Sequence, residues 1–242
     1  VEQPEFAGSH DVDGGQYQRM LEGASGYFAS KVELINALNV FPVPDGDTGT
    51  NMWLTLKSAM DSLDHVDEPE DLGRVADMAA AGALMGARGN SGVILSQFFR
   101  GVARGFSGKK HAGIPQVARA FQYGVVMAYR AVTVPVEGTI LTVAREMARG
   151  GKIAAKEGSS LGEILEAAVS AGKVALERTT EQLPALKEAG VVDSGGCGLV
   201  ILMEGFLKVA LGESIPSPSE ANKAHVDKIM ADASGQKLLT YN

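Results

Sequence analysis

Leu38-Asn39-Val40-Phe41-Pro42-Val43-Pro44-Asp45-Gly46-Asp47-Thr48-Gly49-Thr50-Asn51-Met52 is the stretch from which the rest of the chain is read. Upstream of it Tyr17, Met20, Leu21, Ala24, Phe28, Val32, Ile35 and Leu38 recur at intervals of three and four. That period predicts an amphipathic helix over about 14–38. Pro42 and Pro44 lack an N–H and hold the residues before them in extended geometry, so the helix ends here. A second helix begins near Gly49–Asn51 and runs to about Leu63. The local unit is helix, glycine-rich break, helix.

Outward from this stretch the unit recurs. A third, alanine-rich helix is expected over about 69–86. A fourth follows Arg88-Gly89-Asn90-Ser91-Gly92 and runs to about Phe106, and a fifth spans about 114–132. A sixth follows Pro135-Val136-Glu137-Gly138-Thr139 and ends near Gly150. The seventh covers about 161–179, and the eighth follows Val192-Asp193-Ser194-Gly195-Gly196 and ends near Leu211. Long period-two runs are absent, and aromatic residues make up only 6% of the chain. The fold class is therefore all-α, an antiparallel eight-helix barrel or bundle, because short turns make successive helices antiparallel neighbours. The four glycine-rich motifs open helices two, four, six and eight, so their loops meet at one rim. Helix N-termini carry unpaired N–H groups and partial positive charge, and glycine lets an anion come close to the backbone. Four such ends together point to a polyphosphate ligand at that rim.

Composition narrows the classes. The chain has 242 residues, 45% hydrophobic and 21% charged, as for an ordinary globular protein. A formal net charge of -7 argues against a broad nucleic-acid surface. Cys197 is the one cysteine, no secretory signal precedes the first helix, and no apolar run is long enough for an integral membrane segment. The expected compartment is cytoplasmic. His10, His65, His111 and His225 have no zinc-ligand spacing. Residues 1–13 read as a loose arm, 14–212 as the helical domain, and 213–242 as a linker and short helix, about 220–233, leading to further domains.

Asp45-x-Asp47 is the sharpest motif. Two carboxylates two apart on an irregular loop can face one hard cation, and magnesium favours such ligands together with substrate phosphates. The plainer alternative is that Asp47 or Thr48 caps helix two. The two prolines and two glycines fix a loop more elaborate than capping requires. Asn90 and Ser91, with Gly92, form a second candidate phosphate loop, although an ordinary cap explains them alone. The Walker-type phosphate-loop signature is absent. Gly195, Gly196 and Gly198 weaken a helix start. Close approach of a ligand and tight helix packing both account for them. Lys109-Lys110-His111 reads as a solvated turn.

Residues 38–52 resemble the signature of the fatty acid kinase A-subunit family, whose N-terminal domain is related to the L subunit of dihydroxyacetone kinase. Residues 82–97, from Gly82-Ala83-Leu84-Met85-Gly86 through Gln97, are similar to its second motif. Residues 135–143 are similar to a third and residues 187–196 to a fourth. The resemblance implies ATP or ADP at one rim, with Asp45 and Asp47 as essential Mg²⁺ ligands. It implies that Thr48, Gly49, Thr50, Asn51, Asn90, Ser91 and Gly92 line the phosphates. Thr139 and Ile140 would lie near the nucleoside, and Asp193, Ser194 and Gly195 would close the site. Dihydroxyacetone kinase relatives carry a third aspartate where this chain has Val40, so Asn39 is the nearest metal-ligand candidate. Those relatives also place an arginine before the last motif, where this chain reads Arg178-Thr179-Thr180.

The implied reaction transfers the γ-phosphoryl of ATP to the carboxylate of a fatty acid presented by a carrier protein. A carboxylate is ionised at neutral pH and needs no general base. The alternatives are a dihydroxyacetone-kinase-type phosphotransfer subunit and a non-catalytic nucleotide-sensing module. The resemblance further implies that the chain is the N-terminal part of a longer, potentially oligomeric protein.

Overall fold

The computed structural model describes residues 6–64, 71–156 and 158–215. Ten helices follow one another in it: α1 (Gly14–Ala29), α2 (Val32–Ala37), α3 (Thr48–Asp61), α4 (Leu72–Gly86), α5 (Gly89–Phe106), α6 (Ile114–Arg130), α7 (Ile140–Ala154), α8 (Leu161–Gln182), α9 (Pro184–Ala189) and α10 (Ser194–Ala210). Eight are long and two, α2 and α9, have six residues each. The all-α expectation therefore holds, with eight main helices among the described residues.

Local chemistry sets several boundaries. Asp13 accepts from the Gln16 N–H while the Gln16 side chain accepts from the Asp13 N–H, a reciprocal cap that starts α1. Ser160 and Glu163 do the same for α8. Asp71 caps α4 through the Arg74 N–H. Gly190 at φ +66° ends α9, in the left-handed region that a side chain disfavours.

Three elements differ from the sequence reading. The first expected helix is two, because α1 stops at Ala29 and α2 restarts at Val32. Phe28, Val32 and Ile35 are all buried, so the apolar period runs unbroken across a real backbone break. Residues 6–13 are packed: the Phe6 N–H bonds the Ala210 carbonyl, Phe6 and Ala7 are buried, and β1 (Asp11–Asp13) pairs antiparallel with β2 (His111–Gly113). The expected turn at His111 is thus the start of a strand. Residues 1–5 and 216–242, including the expected helix at 220–233, lie outside the described residues.

Sequential helices pack as antiparallel neighbours. Gly101 of α5 lies against Tyr123 of α6, and Gly105 against Ala120. α10 packs on α1, α7 and α8, and each residue from Ser194 to Met203 is buried. Its first ten residues are buried on every side, and its charges, Glu204 and Lys208, come only in the last two turns, where each is ion-paired. One continuous core, from Phe6 to Ala210, fills the bundle.

Candidate functional site

A cleft of about 560 Å³ opens where α3, α5, α7 and α10 begin. Its walls include Asp47, Thr48 and Asn51 at α3, Gly89, Asn90 and Ser91 at α5, Thr139, Ile140 and Leu141 at α7, and Asp193, Ser194 and Gly195 at α10. The four helix starts that sequence parity placed on one rim meet there, despite the two short helices inserted between them.

The start of α3 is organised by side chains of the preceding segment. Asn39 is buried, and its Oδ1 accepts from the Asp47 N–H (3.2 Å), the Thr48 N–H (3.2 Å) and the Thr48 hydroxyl (2.8 Å). Its Nδ2 donates to the Val43 carbonyl at 2.9 Å, which cinches the loop over Pro42 and Pro44. Asn36 accepts from the Thr50 N–H and donates to the Thr50 hydroxyl. The first N–H groups of α3 are thus served by two asparagines. Asp47, although at the cap position, makes no side-chain cap bond. The capping alternative is therefore set aside, and Asp45 and Asp47 stand exposed on the cleft wall. Asn39, considered above as a metal ligand, instead spends its oxygen on three donors.

The other starts differ. Arg88 provides no side-chain cap to α5, so the first N–H groups there have no side-chain acceptor. Gly89 sits at φ +58°, and a Cβ on it would meet Asn51 Nδ2 at 2.5 Å, so glycine alone lets α5 begin beside α3. Thr139 caps α7 weakly, its hydroxyl accepting from the Leu141 N–H at 3.4 Å. Asp193 Oδ2 accepts from the Gly196 N–H at 2.7 Å, and its carboxylate also takes a backbone bond from Ile140, joining the starts of α7 and α10. Burial pushes its pKa up to about 6, and those two N–H bonds oppose the rise. Ser194 donates to the Thr48 hydroxyl at 3.2 Å, tying α10 to α3.

Three expected ligand positions do not line the cleft. A Cβ on Gly49 would lie 2.5 Å from the Val32 carbonyl, and one on Gly92 2.6 Å from Thr55 Oγ1. Both glycines serve helix packing, and Thr50 faces Asn36. The glycines of α10 divide between the two explanations left open above. Gly195 lines the cleft, whereas Gly196 abuts Val143 and Gly198 abuts Met52. Arg178 lines a separate groove between α7 and α8 and does not reach the cleft.

The sequence reading missed one wall. Ala131, Val132, Thr133, Val134 and Val136, leading from α6 to α7, line the cleft opposite Phe41 and Val43. Glu137 anchors this wall. It accepts from Arg145 (2.7 and 2.9 Å), the Tyr129 hydroxyl (3.1 Å) and the Thr142 hydroxyl (2.6 Å). The Arg145 bond, foremost, holds the Glu137 carboxyl below its ordinary value, while burial pushes Tyr129 up to about 12. The signal was present in Glu137-x4-Thr142 and Tyr129-x15-Arg145, but no periodicity marks such contacts.

The cleft contains Asp45, Asp47 and Asp193 and no lysine, arginine or histidine. Among the described residues no group of three acidic, His or Cys side chains forms a metal cage. Two exposed carboxylates suit a cation that completes its shell with water and ligand oxygens, which is the habit of Mg²⁺.

Comparison with known proteins bears on this cleft. The family model described as the DAK2 domain matches residues 42–208. Protein YloV of Bacillus subtilis is 46% identical over 205 residues, covering 85% of this chain and 37% of that protein. An uncharacterized protein of Staphylococcus aureus strain USA300 is 42% identical over 217 residues, covering 90% of the chain and 39% of its own length. The chain therefore spans about two fifths of these relatives. A crystal structure of the dihydroxyacetone kinase from C. freundii, in complex with AMP-PNP and Mg²⁺, superposes with a TM-score of 0.63 at 20% identity, over 84% of this chain and 35% of that one. At that identity the likeness is one of fold.

Proposed function

We propose, from the premise that this chain belongs to the DAK2 domain family, that the cleft binds ATP or ADP with Mg²⁺ and serves phosphoryl transfer. The observation that carries the reading is the pairing of opposite features in one cleft. Four helix starts favour an anion, yet the side chains bring only negative charge. Divalent cations between a polyphosphate and the carboxylates reconcile the two features. Its volume lies within the range of small-molecule sites.

Each residue then has a task. Asp45 and Asp47 would hold Mg²⁺, which supplies neutralisation of the phosphate charge when bound. Asn90, Ser91 and the unserved N–H groups of α5 would cradle the terminal phosphates. Thr48 and Ser194 would fix the floor through their shared hydrogen bond. Thr139, Ile140 and the wall from Ala131 to Val136 would flank the nucleoside. Asn39 would shape the loop beneath the metal, its oxygen being taken up by three donors. No histidine lines the cleft, which fits an acceptor that arrives already ionised. We infer a fatty acid carboxylate, presented by a separate carrier protein, as that acceptor, giving an acyl phosphate. The work left to the chain is alignment and charge stabilisation.

Calorimetric titration with ADP and with AMP-PNP, with and without Mg²⁺, tests the site. Magnesium-dependent affinity is expected in the native chain and a loss of at least tenfold in Asp45→Ala/Asp47→Ala, with helix content unchanged. Equal affinity in the two proteins would remove the metal assignment. Acyl-phosphate formation from carrier-bound fatty acid, compared with phosphorylation of a triose, tests the acceptor separately.

A further inference from the structure

From Met78 to Val136 the chain has no aspartate or glutamate. The same stretch holds seven of the 22 basic residues: Arg88, Arg100, Arg104, Lys109, Lys110, Arg119 and Arg130. The remainder has 15 basic against 29 acidic residues, a net charge of -14. The chain is thus polarised, with its positive charge on the α5–α6 hairpin. Such asymmetry marks an interaction surface more often than it marks a fold requirement.

Helical spacing gathers these charges. On α5, Val93, Arg100 and Arg104 stand at i, i+7 and i+11, and all three are exposed. On α6, Arg119, Tyr123, Val126 and Arg130 stand at i, i+4, i+7 and i+11, again all exposed. Each set forms one stripe along its helix. The stripes adjoin because α5 and α6 touch at the backbone: a Cβ on Gly101 would lie 2.2 Å from the Tyr123 carbonyl. None of these arginines has an ion-pair partner among the described residues. Among the described residues, the acidic groups on elements packed against the hairpin include Asp71 and Asp77 on the α4 side, and Asp11 and Asp13 of β1, which pairs with β2 at the hairpin tip. On the α7 side, Glu137 and Glu146 are already paired with Arg145 and Arg149.

We propose that the paired α5–α6 face, with Arg100, Arg104, Arg119 and Arg130 around exposed Tyr123 and Val126, docks on an anionic phospholipid surface. The charge of the face is complementary to an anionic surface. Tyr123 and Val126, 43% and 46% exposed, give the face apolar tips among its cations, the mixture that settles at a headgroup boundary. Duplex nucleic acid is the weaker fit, since the net charge is -7 and the face carries one aromatic ring. Docking would place the cleft at the lipid margin, because Gly89–Ser91 at the start of α5 and Ala131–Val134 beyond α6 line it. This inference does not depend on the nucleotide reading.

Cosedimentation of the full chain with vesicles of equal parts phosphatidylglycerol and phosphatidylcholine, and with pure phosphatidylcholine vesicles, tests it. Binding is expected only to the anionic vesicles and should fade as salt is raised. The variant Arg100→Gln/Arg104→Gln/Arg119→Gln should bind about a hundredfold more weakly, at roughly fivefold per arginine. Those side chains are exposed, so its circular dichroism and melting temperature should match the native chain. Tyr123→Ser should weaken binding severalfold. Absence of binding to anionic vesicles, equal binding to neutral ones, or full binding by the triple variant overturns the proposal. It is equally overturned if duplex DNA binds this face more tightly than vesicles do, or if the arginines prove to hold a dimer that the triple variant dissolves.

Discussion

The two walls of the cleft are held in opposite ways. The wall over residues 39–51 hangs on one buried side chain, Asn39, whose bonds to Thr48 are buried and whose bonds to Asp47 and Val43 are partly buried. The wall over residues 131–139 hangs on Glu137 and Arg145, whose side chains are about half exposed. Buried polar bonds leave unsatisfied groups behind when broken, whereas exposed ion pairs are replaced by water and screened by salt. The first wall is therefore built for rigidity beneath the carboxylates. The second is held by bonds that water and salt can replace.

The sharpest way to break this contrast is Asn39→Ala. It leaves two backbone N–H groups and a hydroxyl without their acceptor, and stability should fall by about 3–4 kcal/mol in chemical denaturation. Magnesium-dependent ADP affinity should fall at least tenfold even where the chain remains folded. A loss below about 1 kcal/mol would mean that the loop is held by something else.

Asp193, which joins the starts of α7 and α10, gives the next effect. Its pKa is raised to about 6, so the folded chain holds its proton in a range where the unfolded chain has released it. Stability from this group is thus greatest below pH 4 and is lost as pH rises from about 4 to about 6. The loss is about 2–3 kcal/mol. Asp193→Asn keeps a cap for the Gly196 N–H and should remove that part of the slope. The check is the difference between native and variant unfolding free energies across this range, with parallel curves counting against it.

The smallest effect belongs to the wall held by Glu137 and Arg145. Arg145→Ala should change stability by less than about 1 kcal/mol, and the change should shrink as salt is added. Nucleotide affinity should shift only a few fold. A loss comparable to that of Asn39→Ala would erase the contrast between the walls.

The order of these effects follows what the sequence displays. The convergence of four helix starts was legible because glycine-rich breaks and helical period are local signals. The place of Asp45 and Asp47 beside that convergence was legible for the same reason. The break at Ser30-Lys31 was not, because neither residue is a helix breaker and Phe28, Val32 and Ile35 keep one apolar face across it. β1 and β2 have three residues each, too short for alternation, and their register is set by a partner about one hundred positions away. Asn39 was visible as an oxygen ligand six residues before Asp45. Its use as an acceptor of three hydrogen bonds depends on where the chain folds back, which composition does not state. The same holds for Glu137, whose partners lie eight residues away on either side.

The central position of α10 bears on the order of assembly. It is the last of the described helices, yet it packs against α1, the first long one, and supplies Asp193, Ser194 and Gly195 to the cleft. A nascent chain emerging from the ribosome can form its earlier hairpins from local contacts, but it has no floor for the cleft until Asp193–Ala210 has been synthesised. Ligand affinity should therefore arrive late and all at once during synthesis, and the cleft itself reports that the bundle has closed.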